Sequence, residues 1–173
     1  RGHLIDGLEE GGMLAVMTPD DEITPILTEG VELAVAATPS MSIVAGSEAA
    51  LKRFEVELRR RDMLSRRLGV RRAFHTGAMT PIESPFRKVL DGIALSPPER
   101  PFVSGTTGNW ISVEEAIDPG FWVRHSLSPV RWRDGVSTLR AAGHDLFVEI
   151  GPGNSLGSFV MQQEGAKVVK VFQ

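Results

Sequence analysis

Residues 31–62, VELAVAATPSMSIVAGSEAALKRFEVELRRRD, decide the fold. Two short apolar runs, VELAVAA (31–37) and MSIVAG (41–46), flank Thr38-Pro39-Ser40, and Pro39 is turn chemistry rather than strand chemistry. Ser47 then caps a helix over 48–62, in which Leu51, Phe54 and Leu58 share one face opposite Lys52, Arg53, Glu57 and Arg60. Upstream, MLAVM (13–17) follows Gly11-Gly12 and reads as a buried strand. Thr18-Pro19-Asp20-Asp21 opens a helix over 20–29, with Gly30 as its stop. Downstream, 65–74 is a last extended piece. The order is β-α-β-β-α-β across 12–74, the split βαβ arrangement of a ferredoxin-like small lobe.

Beyond residue 75 the pattern changes. A helix is expected over 79–92 despite Pro81 and Pro85, then a proline-rich loop and a strand over 101–107. Gly108-Asn109 marks a turn, Ser112 caps a short helix at 113–117, and Pro119 starts a helix running through His125. A long helix over 129–142 opens on Pro129 and stops at Gly143; a strand at 145–150, the Gly151-Pro152-Gly153 turn, a helix at 154–164 and a strand at 167–172 complete the chain. Such alternation belongs to part of a parallel α/β layer. The opening Arg1-Gly2-His3-Leu4-Ile5 reads as the last turn of a helix that begins upstream. The expected division is therefore a helix end and linker (1–11), the small lobe (12–74) and an α/β body (75–173).

Composition narrows the chemistry. In 173 residues, 42% are hydrophobic and 24% charged, as in ordinary folded chains, which excludes a disordered tail or a collagen-like repeat. There is no cysteine, so thiol catalysis, thiolate zinc and a disulfide framework are excluded. A net charge of −3 argues against general nucleic-acid or membrane partners. No apolar run approaches the ~18 residues of a membrane span, and the opening residues are unlike a secretory signal, so a cytoplasmic setting is expected. No HExxH or other paired-ligand spacing points to a metal.

The histidines are His3, His75, His125 and His144. A lone histidine is most often a surface or hydrogen-bonded core residue. His75 differs by its place at the junction of lobe and body, where clefts form, and by small neighbours, Thr76-Gly77-Ala78, that admit a substrate. Arg59, Arg60, Arg61, Arg66, Arg67, Arg71 and Arg72 make a local basic cluster. It reads either as a solvated helix end complementing the helix dipole or as a docking surface for an acidic or phosphorylated partner. No aromatic residues interleave with it, which disfavours single-stranded nucleic acid. Gly151-Pro152-Gly153 lacks either phosphate-loop pattern and is a strand-to-helix turn.

Four strings in order across the chain resemble the C-terminal part of the acyltransferase domain of type I polyketide synthases, enzymes of the malonyl-CoA:acyl carrier protein transacylase type. They are Arg1 with Gly11-Gly12-Met13-Leu14-Ala15-Val16; Arg72-Ala73-Phe74-His75 with Met79; Phe121-Trp122-Val123-Arg124-His125 with Pro129-Val130-Arg131-Trp132; and Val148-Glu149-Ile150-Gly151-Pro152-Gly153. The resemblance implies an α/β-hydrolase-like body with an inserted ferredoxin-like lobe. It also implies a ping-pong transfer in polyketide biosynthesis, from an acyl-CoA to a serine and then to the phosphopantetheine thiol of an acyl carrier protein. In that scheme His75 matches the general base, Arg1 the arginine that binds the free carboxylate of a malonyl-type group, and His125 the residue whose backbone carbonyl orients the catalytic imidazole. Arg72-Ala73-Phe74-His75 resembles the HAFH pattern of malonyl-selecting domains, which implies Ala73 and Phe74 beside the substrate. A phenyl ring near the α-carbon would exclude an extra methyl. No cofactor is implied beyond CoA as donor carrier.

The chain departs from the family in places. It contains no GHSxG nucleophile elbow, Arg72 replaces the pattern's first His, and Thr76 stands where Ser usually follows the base. Three readings stay open: the C-terminal part of a malonyl-type acyltransferase domain whose serine lies in its N-terminal part; a non-catalytic ferredoxin-like fragment that docks a carrier protein through its arginines; and a self-sufficient hydrolase pairing His75 with another serine. The first predicts an uncovered apolar face.

Overall fold

The computed structural model describes residues 1–151, 153–163 and 165–170. Strands β1 (Gly12–Val16), β2 (Val31–Thr38), β3 (Met41–Gly46) and β4 (Ser65–Arg67) form one sheet in the order β2-β3-β1-β4, each neighbouring pair antiparallel. A first short helix, α1 (Gly2–Asp6), precedes the sheet. Helix α2 (Asp20–Ile23), continued by a 3₁₀ turn at Thr24–Ile26, connects β1 to β2, and α3 (Glu48–Arg60) connects β3 to β4.

Strand alternation gives the sheet two apolar faces. On one, Leu14 and Val16 pack with Ile23, Val44, Leu51, Phe54 and Leu58 beneath α3. Each such large side chain contributes about 1.5–3 kcal/mol on burial. The Ser47 hydroxyl accepts the Ala50 N–H at 3.2 Å, so the helix is capped where the sequence places the cap. The other face is made of smaller residues, with Met13, Ala15, Ala34, Ala37, Ile43, Ala45 and Ala73 packed together and Phe74 and Phe159 against them. The start of β2 and the end of β3 meet closely: a Cβ at Gly46 would overlap the Gly30 carbonyl, and Gly30 itself has φ +79°. Both positions therefore need glycine.

Several elements are shorter than the sequence predicts. The helix expected over 20–29 is one α turn followed by a 3₁₀ turn, because Pro25 has no N–H to continue the ladder. The extended piece 65–74 forms a regular strand only over 65–67, beyond which Leu68 N–H still bonds Met13 O at 3.0 Å. The 79–92 helix is a 3₁₀ turn, Gly77–Ile82, holding Pro81, and then α4 (Glu83–Asp91); Pro85 falls in its first turn, where its missing N–H is harmless. No strand forms over 101–107. The chain reverses at once, with Gly108 N–H bonded to Ser104 O at 2.8 Å, and only Val103 bridges Trp110.

Two further helices, α5 (Val113–Ile117), closed by a Ser112–Glu115 capping box, and α6 (Pro119–Leu127), capped by Asp118, follow. The long helix expected at 129 begins at Trp132 instead, as α7 (Trp132–Ala141). Val130 is extended: its N–H bonds Ala34 O at 2.8 Å and its carbonyl accepts Ala36 N–H at 2.9 Å, so residues 129–131 line the β2 edge. Strands β5 (Leu146–Glu149) and β6 (Lys167–Lys170) pair in parallel around α8 (Ser155–Val160), which is shorter than the 154–164 expected. Pro152 of the expected turn and residues 171–172 of the expected strand lie outside the described residues. Leu146, Val148, Ile150 and Val169, on and beside this pair, are at least half exposed, an uncovered apolar surface. Among the described residues no helix is long and apolar enough to cross a membrane.

Candidate active site

After leaving the sheet, residues 71–77 run between the small sheet and α6, and they carry His75. Its backbone has φ +60°, a left-handed conformation that costs an ordinary L-residue about 1–2 kcal/mol. Bonds on both sides enforce it. The buried Thr76 hydroxyl donates to Ala73 O at 2.7 Å and accepts Ala78 N–H at 3.3 Å, and the Glu32 carboxylate of β2 accepts Gly77 N–H at 3.1 Å. Upstream, Gly11 N–H bonds Arg71 O at 3.2 Å.

The imidazole is fixed as well. Nδ1 lies 3.2 Å from the His125 carbonyl oxygen, near the end of α6, and the two rings meet edge to face with centroids 5.9 Å apart. A carbonyl only accepts, so Nδ1 carries the proton and a neutral ring presents Nε2 as a bare lone pair. Burial holds the His75 pKa below that of a free histidine, and repulsion by His125 and Arg1 lowers it further, against hydrogen bonds to the His125 and Ser128 backbone. His125 is pushed down too, by burial and then by Arg1. The uncharged, proton-accepting form of His75 is thus the resting form at neutral pH.

Arg1, at the start of α1, reaches Ser126 Oγ of α6 at 3.4 Å. With Ile5, Phe74, His75, Met79 and Ser126 it lines one small hollow. The sequence-predicted residues Arg1, Phe74 and His75 are therefore brought together, and the His125 carbonyl meets the His75 ring from behind. Ala73 is not part of the hollow. It is 3% exposed and lies in the alanine-rich face of the sheet. His3 is exposed, and His144 packs edge-on to Trp110, away from this place.

The basic cluster is mostly spent within the chain. Arg67 forks onto Glu55 at 2.9 Å and reaches Glu48 at 3.2 Å, Arg60 and Arg61 share Glu57, Arg71 pairs with Glu10, and Arg72 binds backbone carbonyls. The Arg67 bond holds the Glu55 carboxyl below its usual range. That leaves Arg59 and Arg66 as the members without such a bond among the described residues, so the solvated-surface reading of the cluster is the better supported. Sequence reasoning missed Glu32 and Ser126: each acts across 45 residues or more, and no spacing rule connects them to the residues they hold. Among the described residues no cluster of His, Asp or Glu is placed to hold a metal ion, and no side-chain hydroxyl bonds to His75.

Comparison with known proteins gives the family of the chain. Residues 1–169 match the acyl transferase domain family. The chain is 34% identical over 162 residues to a phenolphthiocerol/phthiocerol polyketide synthase protein of Mycobacterium tuberculosis, covering 94% of this chain and 11% of that protein. It is 36% identical to polyketide synthase GfsA of Streptomyces halstedii, covering 94% of this chain and 2% of that one. Among solved structures, the acyltransferase domain from the second module of the salinomycin polyketide synthase superposes with a TM-score of 0.93 at 32% identity. The acyl transferase domain of SpnD, in complex with 2-(pent-4-yn-1-yl)malonyl, superposes at 0.91 and 36%. The chain is covered over 100% and 97% of its length in these two, and spans 42% of each of them. It has a mixed α/β fold and belongs to the acyltransferase domain family of type I polyketide synthases.

Proposed function

We propose that this chain is the C-terminal part of an acyltransferase domain that moves a malonyl-type unit from CoA to an acyl carrier protein. In this reading 1–11 is a helix end and linker, 12–74 a ferredoxin-like lobe and 75–173 the C-terminal part of an α/β-hydrolase-like body; the nucleophilic serine belongs to the N-terminal part. The observation that carries it is the His75 geometry: Nδ1–H donated to a fixed carbonyl, Nε2 bare, and an arginine against the same hollow.

The steps follow from that tautomer. Nε2 takes the serine proton as the hydroxyl oxygen attacks the thioester carbonyl; the same proton then goes to the departing CoA sulfur, leaving an acyl-serine. The carrier-protein thiol next gives its proton to Nε2 and attacks the acyl-serine, and serine regains the proton on leaving. Nδ1–H stays on the His125 carbonyl throughout and stabilises the imidazolium formed in each half-reaction. Arg1 holds the free carboxylate of the malonyl group, for which its planar fork suits. Phe74 at the hollow's wall supports malonyl over a methyl-bearing unit. The substituted malonyl held by one similar domain supports a carboxylated acyl group in general. Apolar β5 and β6, with a ~400 Å³ cavity lined in part by Phe147, Leu156 and Val160, support a missing neighbouring layer.

Intact-mass measurement of the complete domain after incubation with malonyl-CoA tests the reading. The expected result is one malonyl group on the N-terminal part, absent in His75→Ala. Equal loading of the variant would overturn the role of His75.

A further inference from the structure

Arg1 stands immediately before helix α1. The last carbonyls of any helix lack partners within it. Here one side chain reaches two of those carbonyls, Asp6 O and Ile5 O, the second of which also accepts the Leu8 N–H at 3.1 Å. Arg72 donates Nε to Ile5 O at 3.1 Å and Nη2 to Asp6 O at 2.8 Å, and its Nη1 donates to Arg71 O at 2.9 Å. At the other end of the helix the Arg1 carbonyl accepts Leu4 N–H at 3.1 Å and Ile5 N–H at 3.2 Å. A continuous line of bonds thus runs from Arg72 through Ile5 to the backbone of Arg1. Arg72 is three residues from His75, on the segment whose course is fixed by Thr76 and Glu32.

We propose that Arg72 is a positioning residue for substrate carboxylate binding: it ties the helix of Arg1 to the segment of His75 and so sets the distance between the group that holds the malonyl carboxylate and the base at the reacting carbonyl. The inference rests on the reading of Arg1 as the carboxylate partner and adds to it the element that places Arg1. The guanidinium suits this because its donors lie in a rigid plane, so two successive carbonyls can be bonded at once while the third donor folds back on Arg71. A lysine carries the charge but not the fork. Arg72 has no carboxylate partner among the described residues, so its charge is spent on the end of α1.

The test uses the complete acyltransferase domain with malonyl-CoA and acetyl-CoA, which differ in the carboxylate. Arg72→Ala is expected to raise KM for malonyl-CoA about tenfold, the scale of one lost charge-assisted hydrogen bond, with kcat and all acetyl-CoA parameters little changed. Arg72→Lys is expected to restore little of that loss. Combining Arg72→Ala with Arg1→Ala should add little to Arg1→Ala alone, because both act on one contact. If Arg72→Ala, or Arg72→Lys should the alanine variant not fold, impairs both substrates equally, Arg72 is merely structural and the proposal fails. Full rescue by lysine also overturns it, since charge alone would then suffice. If Arg1→Ala does not separate the two substrates, the carboxylate role of Arg1 itself fails, a result independent of how Arg72 behaves.

Discussion

The left-handed backbone at His75 makes a quantitative prediction that separates the residue's shape from its chemistry. His75→Ala and His75→Gly both remove the imidazole, with its Nδ1 bond and its edge-to-face contact with His125, so those losses cancel when the two variants are compared. What remains is the backbone. Alanine keeps a Cβ at φ +60°, at a cost of about 1–2 kcal/mol; glycine escapes that cost but loses about 0.5–1 kcal/mol of extra freedom on folding. The glycine variant should therefore be the more stable by roughly 0.5–1 kcal/mol, with His75→Asn between them because asparagine tolerates this region. Equilibrium urea unfolding of the domain, followed by far-ultraviolet circular dichroism, reads the difference directly. The bonds of Thr76, Glu32 and Arg71 go on enforcing the turn when the ring is gone. If alanine proves as stable as glycine, the segment relaxes without the imidazole. The strain would then be a consequence of the Nδ1 bond and not a property of the scaffold that aims it.

The remaining expectations concern pH and the acyl group. His75 and His125 both have folded pKa values below the free value of 6.5, so the folded chain binds fewer protons than the unfolded one in the window beneath 6.5. Their contribution to stability is complete above 6.5 and falls as pH drops from there toward the folded values; a His75→Gln, His125→Gln double variant should flatten that slope in urea titrations at successive pH values. The acid limb of kcat/KM for acyl transfer should likewise lie below pH 6.5. Arg1→Ala should move it upward, since the guanidinium helps keep His75 neutral. Phe74→Ser should relax selection against methylmalonyl-CoA by about tenfold or more in competition assays, the ~1–3 kcal/mol that one methyl commands.

How much of this could be read before the structure differs between lobe and site. The β-α-β-β-α-β order was legible because most of its elements are coded locally: short apolar runs in β1 to β3, a serine cap and a 3.6-residue stripe in α3. Boundaries failed where a local code met a tertiary demand. Residues 129–131 carry good helix-start chemistry, yet Val130 is worth more to the fold as the partner of Ala34 and Ala36, which leaves α7 to begin at Trp132. The 101–107 stretch has strand composition and no neighbour to pair with beyond one bridge.

The site was legible only as a motif. Arg72-Ala73-Phe74-His75 is contiguous, and contiguity suggests that all four residues face the substrate. The structure breaks that inference: Phe74 and His75 reach the hollow, Ala73 goes into the sheet's alanine face, Arg72 donates to the carbonyls of Ile5 and Asp6, and the backbone at His75 is left-handed, with φ +60°. No periodicity rule carries that angle. The signal lies in the pairing of distant groups, Glu32 with Gly77 and the His125 carbonyl with Nδ1, that leave the backbone at 75 no other course.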